Sequence, residues 1–115
     1  MMESTVWQQT SELFQLLSHP ERLRILDELR RSEACVCHLQ AVLKRPQAYV
    51  SQQLRVLREA GIVVDRKEGL NVYYQLAHQQ VEHLLEEMLG AAGEPVRLRN
   101  CPCPNCCQID LGEEK

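Results

Sequence analysis

No apolar stretch in this 115-residue chain runs longer than a few residues. A helix that spans a bilayer needs about 20 apolar residues, so no segment is predicted to cross a membrane. The start, MMESTVWQQT, also lacks the basic end and apolar run of an export signal. Both absences predict a cytoplasmic protein whose thiols stay reduced. There is no glycine-rich phosphate loop. The serines and the scattered His19, His38, His78 and His83 form no motif for nucleophilic catalysis. The chain therefore reads as a protein that is not an enzyme. No internal repeat or low-complexity segment interrupts it, and its length suits one domain with a modest core.

What it has instead is six cysteines in two clusters. Cys35 and Cys37 stand in ACVCHLQ, residues 34–40; Cys101, Cys103, Cys106 and Cys107 stand in CPCPNCC, residues 101–107. An even count suits a secreted disulfide scaffold, but nothing signals export. Reduced, clustered thiols instead mark a site for a metal, a metalloid or thiol redox chemistry, because soft thiolates select soft ions. Cys103 and Cys106 have the C-x-x-C spacing of a zinc knot or a redox pair. Residues i and i+2 of a regular helix do not share a face. Cys35 and Cys37 are thus expected to meet one ion only where a helix start is distorted. His38, beside them, reads as a surface or hydrogen-bonding histidine ahead of a ligand.

Apolar spacing predicts a mainly α fold with a β-hairpin wing. Val6, Thr10, Leu13, Phe14 and Leu17, with Trp7 beside them, predict a helix over 4–17. Ser18-His19-Pro20-Glu21 reads as a helix start, with Ser18 as cap and Glu21 completing a capping box. The helix it opens, about 19–31, turns Leu23, Leu26 and Leu29 inward with Ile25 in support, and leaves Arg22, Arg24, Arg30 and Arg31 at the surface. A short helix follows over 36–43, with Val36, Leu39, Val42 and Leu43 on one face. Lys44-Arg45-Pro46 makes a turn into a helix over 47–60, which buries Val50, Leu54 and Leu57 and stops at Gly61. The period then changes. Strands are predicted at 62–67 and 71–76 around a Glu68-Gly69-Leu70 tip, and a last helix at 78–90 carries Val81, Leu84, Leu85, Met88 and Leu89. The order α-α-α-α-β-β-α sets a helix-turn-helix directly before a two-stranded wing. It predicts a winged helix-turn-helix domain over 1–93 and a Cys-rich tail over 94–115.

The formal net charge is −3, which alone argues against a nucleic-acid partner. The distribution argues for one. Residues 44–67 hold Lys44, Arg45, Arg55, Arg58, Arg66 and Lys67 against only Glu59 and Asp65, and a local basic patch matters more to DNA than the average charge. In the 47–60 helix, Gln47, Ser51, Gln52 and Arg55 are the polar groups suited to base edges. Lys44, Arg45 and Arg58 suit the phosphate backbone. Arg66 and Lys67 sit on the wing.

The stretches HPERLRIL (19–26), CVCHL (35–39), VSQQLRVLREAGIV (50–63) and REAGIVVDRKEGLNVYYQL (58–76) resemble the ArsR/SmtB family of metal-sensing repressors, over about residues 10–89. The resemblance implies a winged helix-turn-helix homodimer that holds double-stranded operator DNA and releases it when an effector binds. It implies dimerisation through the first and last helices. Trp7, Phe14, Leu84, Leu85 and Met88 independently offer more apolar surface than one small core uses. A two-fold dimer suits half-sites about one DNA turn apart.

In the arsenic-responsive members a CVC motif at this helix start binds As(III) or Sb(III), which implies that Cys35 and Cys37 are effector ligands. Those members add a third cysteine soon after, where this chain has Leu39 and Gln40. Cys101, Cys103, Cys106 and Cys107 are the candidates to supply the missing thiolate, from the same or the partner subunit. Three thiolates suit As(III), whereas four suit tetrahedral Zn(II) or Cd(II); Pb(II) belongs to the same soft set. The expected function is a transcriptional repressor released by a thiophilic ion, As(III) first. The alternatives are a Cd(II)-, Pb(II)- or Zn(II)-responsive repressor and a thiol-redox or persulfide-responsive one. A second zinc site that the family builds on its last helix is broken here, at His78, Gln80 and Ala91. Pro46 stands where a serine often opens the recognition helix, which implies a weaker or arginine-assisted cap.

Overall fold

The computed structural model describes residues 2–94. Along them run α1 (Met2–Leu17), α2 (Pro20–Leu29), β1 (Ala34–Cys35), α3 (Val36–Leu43), α4 (Gln47–Glu59), β2 (Val63–Glu68), β3 (Asn71–Leu76) and α5 (Gln79–Leu89). The fold is a winged helix, five helices with a three-stranded antiparallel sheet in the order β1-β3-β2. Every expected element is present, with ends that shift by a residue or two, as helix and strand ends do. Strand β1 was not expected. The tail beyond Glu94, with Cys101, Cys103, Cys106 and Cys107, lies outside the described residues.

The core forms where the helical spacing put it. Ile25 and Leu26 of α2, Leu39 of α3, Val50, Leu54 and Leu57 of α4, Ile62 and Val63 at the root of the wing and Val81 of α5 are all at most 1% exposed. Burying each such side chain stabilises the fold by about 1.5–3 kcal/mol. Strand β2 sends only Val63 inward and leaves its remaining residues exposed, so the wing is held at its root and projects beyond it.

Two local expectations at α2 are corrected. His19 rather than Ser18 is the N-cap, without a side-chain bond, and Pro20 takes the first turn. Only two residues separate α1 from α2, so Ser18 still belongs to the end of α1. Its hydroxyl donates back to the Gln15 carbonyl at 2.8 Å. Glu21 completes no capping box, because its carboxylate accepts two bonds from Arg45. Nor do all four of the arginines expected on this helix lie at the surface. The Arg30 side chain is 3% exposed; its Nε donates to Asp27 and its Nη1 to the Gly90 carbonyl, each at 2.8 Å, which ties α2 to the end of α5.

Helix α4 ends as its glycine predicts. Gly61 takes φ +81°. Its N–H donates to the Arg58 carbonyl at 3.0 Å, and the Ile62 N–H to the Leu57 carbonyl at 3.0 Å. That pair of bonds is a Schellman motif. Its customary apolar contact is present too, since Leu57 and Ile62 are both fully buried. The wing therefore leaves α4 in a fixed direction.

Candidate effector and nucleic-acid site

Cys35 is at once the last residue of β1 and the N-cap of α3, with extended backbone (φ −90°, ψ 170°). Cys37 sits one step into the helix. Because Cys35 is off the helical phase, the i, i+2 rule does not separate the two side chains, and the sulfurs converge to 2.8 Å. The distorted helix start that the sequence required is thus an ordinary extended N-cap. Cys35 is buried and Cys37 half-buried.

His38 turns away from this pair into the core. Its Nε2 lies 2.7 Å from Glu28 Oε2, and both side chains are buried. It is a hydrogen-bonding histidine that fastens α3 to α2. Among the described residues, no three or more histidine, cysteine or acidic side chains gather into a metal-holding group. The thiol pair supplies two soft donors.

Helix α3 passes to α4 through a tight turn. Lys44 adopts the left-handed conformation (φ 58°), and its N–H donates to the Gln40 carbonyl at 2.8 Å. Leu39 and Leu43 of α3 share one core with Val50 and Leu54 of α4. With that face buried, α4 exposes Gln47, Gln52 and Arg55 and leaves Ser51 half-buried. Gln53 was not singled out in the sequence. It is buried, and its Oε1 accepts from Arg22 Nε at 2.8 Å, while Arg22 Nη1 donates to the Leu16 carbonyl at 3.3 Å. This bond locks α4 to the α1–α2 junction. The partner lies 31 residues away, and nothing local announces it.

The basic residues of the patch come with carboxylates. Arg45 bonds Glu21 at 2.7 and 3.0 Å and lies 5.6 Å over the Tyr49 ring. Arg58 bonds Asp65 at 3.0 Å, and Arg55 approaches Glu59 at 3.8 Å. Arg66 bonds Glu33 at 2.6 Å and Glu68 at 2.8 Å. Hydrogen bonds to Glu68 and then Glu33 raise the Arg66 pKa above its ordinary value, and the guanidinium keeps its charge. Burial, with Asp65 adding and Arg58 opposing, raises that of Tyr74.

This chain matches the bacterial regulatory proteins of the arsR family over residues 19–64, from the start of α2 to the root of the wing. It is 46% identical over 81 residues to a transcriptional repressor SmtB homolog of Synechocystis, covering 70% of this chain and 61% of that protein. The arsenical resistance operon repressor of Escherichia coli is 42% identical over 103 residues, which cover 83% of this chain and 86% of that protein. Among solved structures, a homodimeric winged helix-turn-helix DNA-binding domain from Mycobacterium bovis matches with a TM-score of 0.68 and 27% identity, covering 75% of this chain and 80% of that one. The likeness extends over α2, the thiol-bearing start of α3, α4 and the wing, and by it the chain belongs to the arsR family of bacterial regulatory proteins.

Proposed function

We propose that this chain is a homodimeric transcriptional repressor that leaves its operator when Cys35 and Cys37 capture a thiophilic ion. As(III) or Sb(III) is the first choice, and Cd(II), Pb(II) or Zn(II) the other soft candidates. The observation that carries this reading is the convergence of the two sulfurs to 2.8 Å at the start of a helix that shares its core with α4. A relative named as an arsenical resistance operon repressor supports an arsenic-type effector, and one named as a transcriptional repressor SmtB homolog supports the repressor role. Cys101, Cys103, Cys106 and Cys107 are the proposed source of further thiolates. Gln47, Ser51, Gln52 and Arg55 read base edges, Lys44, Arg45 and Arg58 hold phosphates, and Arg66 and Lys67 serve the wing. The exposed apolar residues of α1 and α5 pair the two subunits.

One sulfur belongs to a strand and the other to the start of a helix. An ion held by both fixes their separation through its own bond lengths and angle, and so sets α3 against the sheet. The coupling is reciprocal, and operator DNA weakens effector binding by the same factor.

A second reading rests on the same short separation. A disulfide between Cys35 and Cys37, formed with loss of two protons and two electrons to a peroxide or a small-molecule disulfide, draws the sulfurs together to about 2.05 Å. The deciding experiment titrates the reduced protein with arsenite, Cd(II) and Zn(II), followed by thiolate-to-metal absorption. It is run with and without a duplex selected by the protein from a random pool. Arsenite is expected to release the duplex from the parent chain, while Cys35→Ser and Cys37→Ser bind it and keep it. Normal release from either variant refutes the thiol pair as sensor. Release by peroxide but by no ion establishes the second reading.

A further inference from the structure

Cys35 lies opposite Tyr73 in the β1–β3 pair, and Tyr73 lies opposite Arg66 in the β3–β2 pair. One row of three residues thus crosses the sheet from the thiol site to the wing. Directly opposed residues project on the same face. The Arg66 guanidinium lies over the Tyr73 ring, 5.1 Å from its centroid. Its Nη2 donates to Glu33 at 2.6 Å and its Nη1 to Glu68 at 2.8 Å. Glu33 stands two residues before Cys35, on the segment that leads into the thiol pair. Glu68 ends β2 beside the wing tip. Arg66 therefore ties the segment that precedes the thiols to the far end of the hairpin.

Strand β1 is only two residues long, so its backbone ladder holds few bonds. A side-chain tie then adds to how the hairpin is set against it. We propose that Arg66 is a positioning residue through which the thiol pair controls the wing. Bonded to Glu33 and Glu68 and stacked on Tyr73, it holds the hairpin in its DNA-binding position. Effector capture at Cys35 and Cys37 draws Glu33 away and lets the hairpin leave that position. This inference rests on the reading of Cys35 and Cys37 as the effector site. It adds a route through the sheet to the one through the α3–α4 core.

Exposed ion pairs add little to stability, so loss of this tie shows in the coupling and not in the melting temperature. The test compares Glu33→Gln with the parent chain, using arsenite and the selected duplex. The readout is the ratio of duplex Kd with arsenite to Kd without it. The variant is expected to melt as the parent does and to bind arsenite in the absence of DNA somewhat more tightly, because capture no longer breaks the Arg66–Glu33 bond. Its ratio is expected to fall by up to about fivefold, from a parent coupling in the usual range of roughly 5- to 150-fold. Without DNA, arsenite is expected to speed hydrogen exchange at the β1–β3 edge in the parent, and in the variant that edge is expected to exchange faster than the parent's before arsenite is added. A variant ratio equal to the parent's overturns the role of Arg66 and leaves the sensor reading standing. A parent ratio of one overturns both.

Discussion

His38 shows how a single side chain next to the thiols takes a structural part. Its bond to the buried Glu28 joins α3 to α2, and Arg31 is 3.6 Å from the other carboxylate oxygen. A buried bond of this kind contributes about 2 kcal/mol. His38→Ala is expected to lower the unfolding free energy in urea by about that amount, and to leave the arsenite stoichiometry of the reduced protein unchanged. A loss of stoichiometry would make His38 a ligand after all. The chemistry of Cys35 and Cys37 was legible in the sequence as a soft-donor pair. Their convergence was not, because it depends on the dihedral angles of one N-cap residue. The arginine partners were equally hidden: Glu21 lies 24 residues from Arg45, and Glu33 lies 33 from Arg66. Such pairings follow from the fold and leave no local pattern.

Among the elements, the turn between α3 and α4 carries backbone strain at Lys44, whose φ of 58° is costly for a residue with a side chain. Glycine adopts that conformation freely but loses more entropy on folding. The expected balance for Lys44→Gly is a net gain of about 0.5 kcal/mol, seen as a higher midpoint of thermal unfolding. Duplex affinity is expected to fall and to depend less steeply on salt, because the proposed phosphate contact is lost. A lower midpoint would show that the lysine side chain stabilises the turn. The helices were readable in advance because Leu, Ile and Val recur at helical spacing and Gly61 marks a stop. Strand β1 was unreadable because two residues have no period. Ala34 and Cys35 become a strand only because β3 offers them an edge.

At the scale of the whole molecule, α1 and α5 leave large apolar side chains in water. Trp7 is 68% exposed and Met88 74%, with Val6, Phe14 and Leu89 also exposed. An apolar surface of this kind marks an interface, and a two-fold pairing is the commonest way to cover it. The double variant Trp7→Glu with Met88→Glu is expected to sediment at half the parent's mass. It is also expected to lose high-affinity binding to a two-half-site duplex. A variant that still sediments as a dimer would place the interface elsewhere.

The corner at Gly61-Ile62 has a consequence for how such a molecule can be retuned. Ile62 gives its N–H to Leu57 in α4 and accepts the Ala77 N–H, just past β3, at 2.9 Å. Both ends of the hairpin are thereby anchored on the residue that closes the helix. A tilt of the hairpin is therefore expected to carry the end of the helix with it. Under the proposed DNA-binding role, duplexes that change the spacing between the α4 contacts and the hairpin contacts are expected to bind more weakly. New sequence preference is reached by exchanging side chains on the fixed frame rather than by bending it.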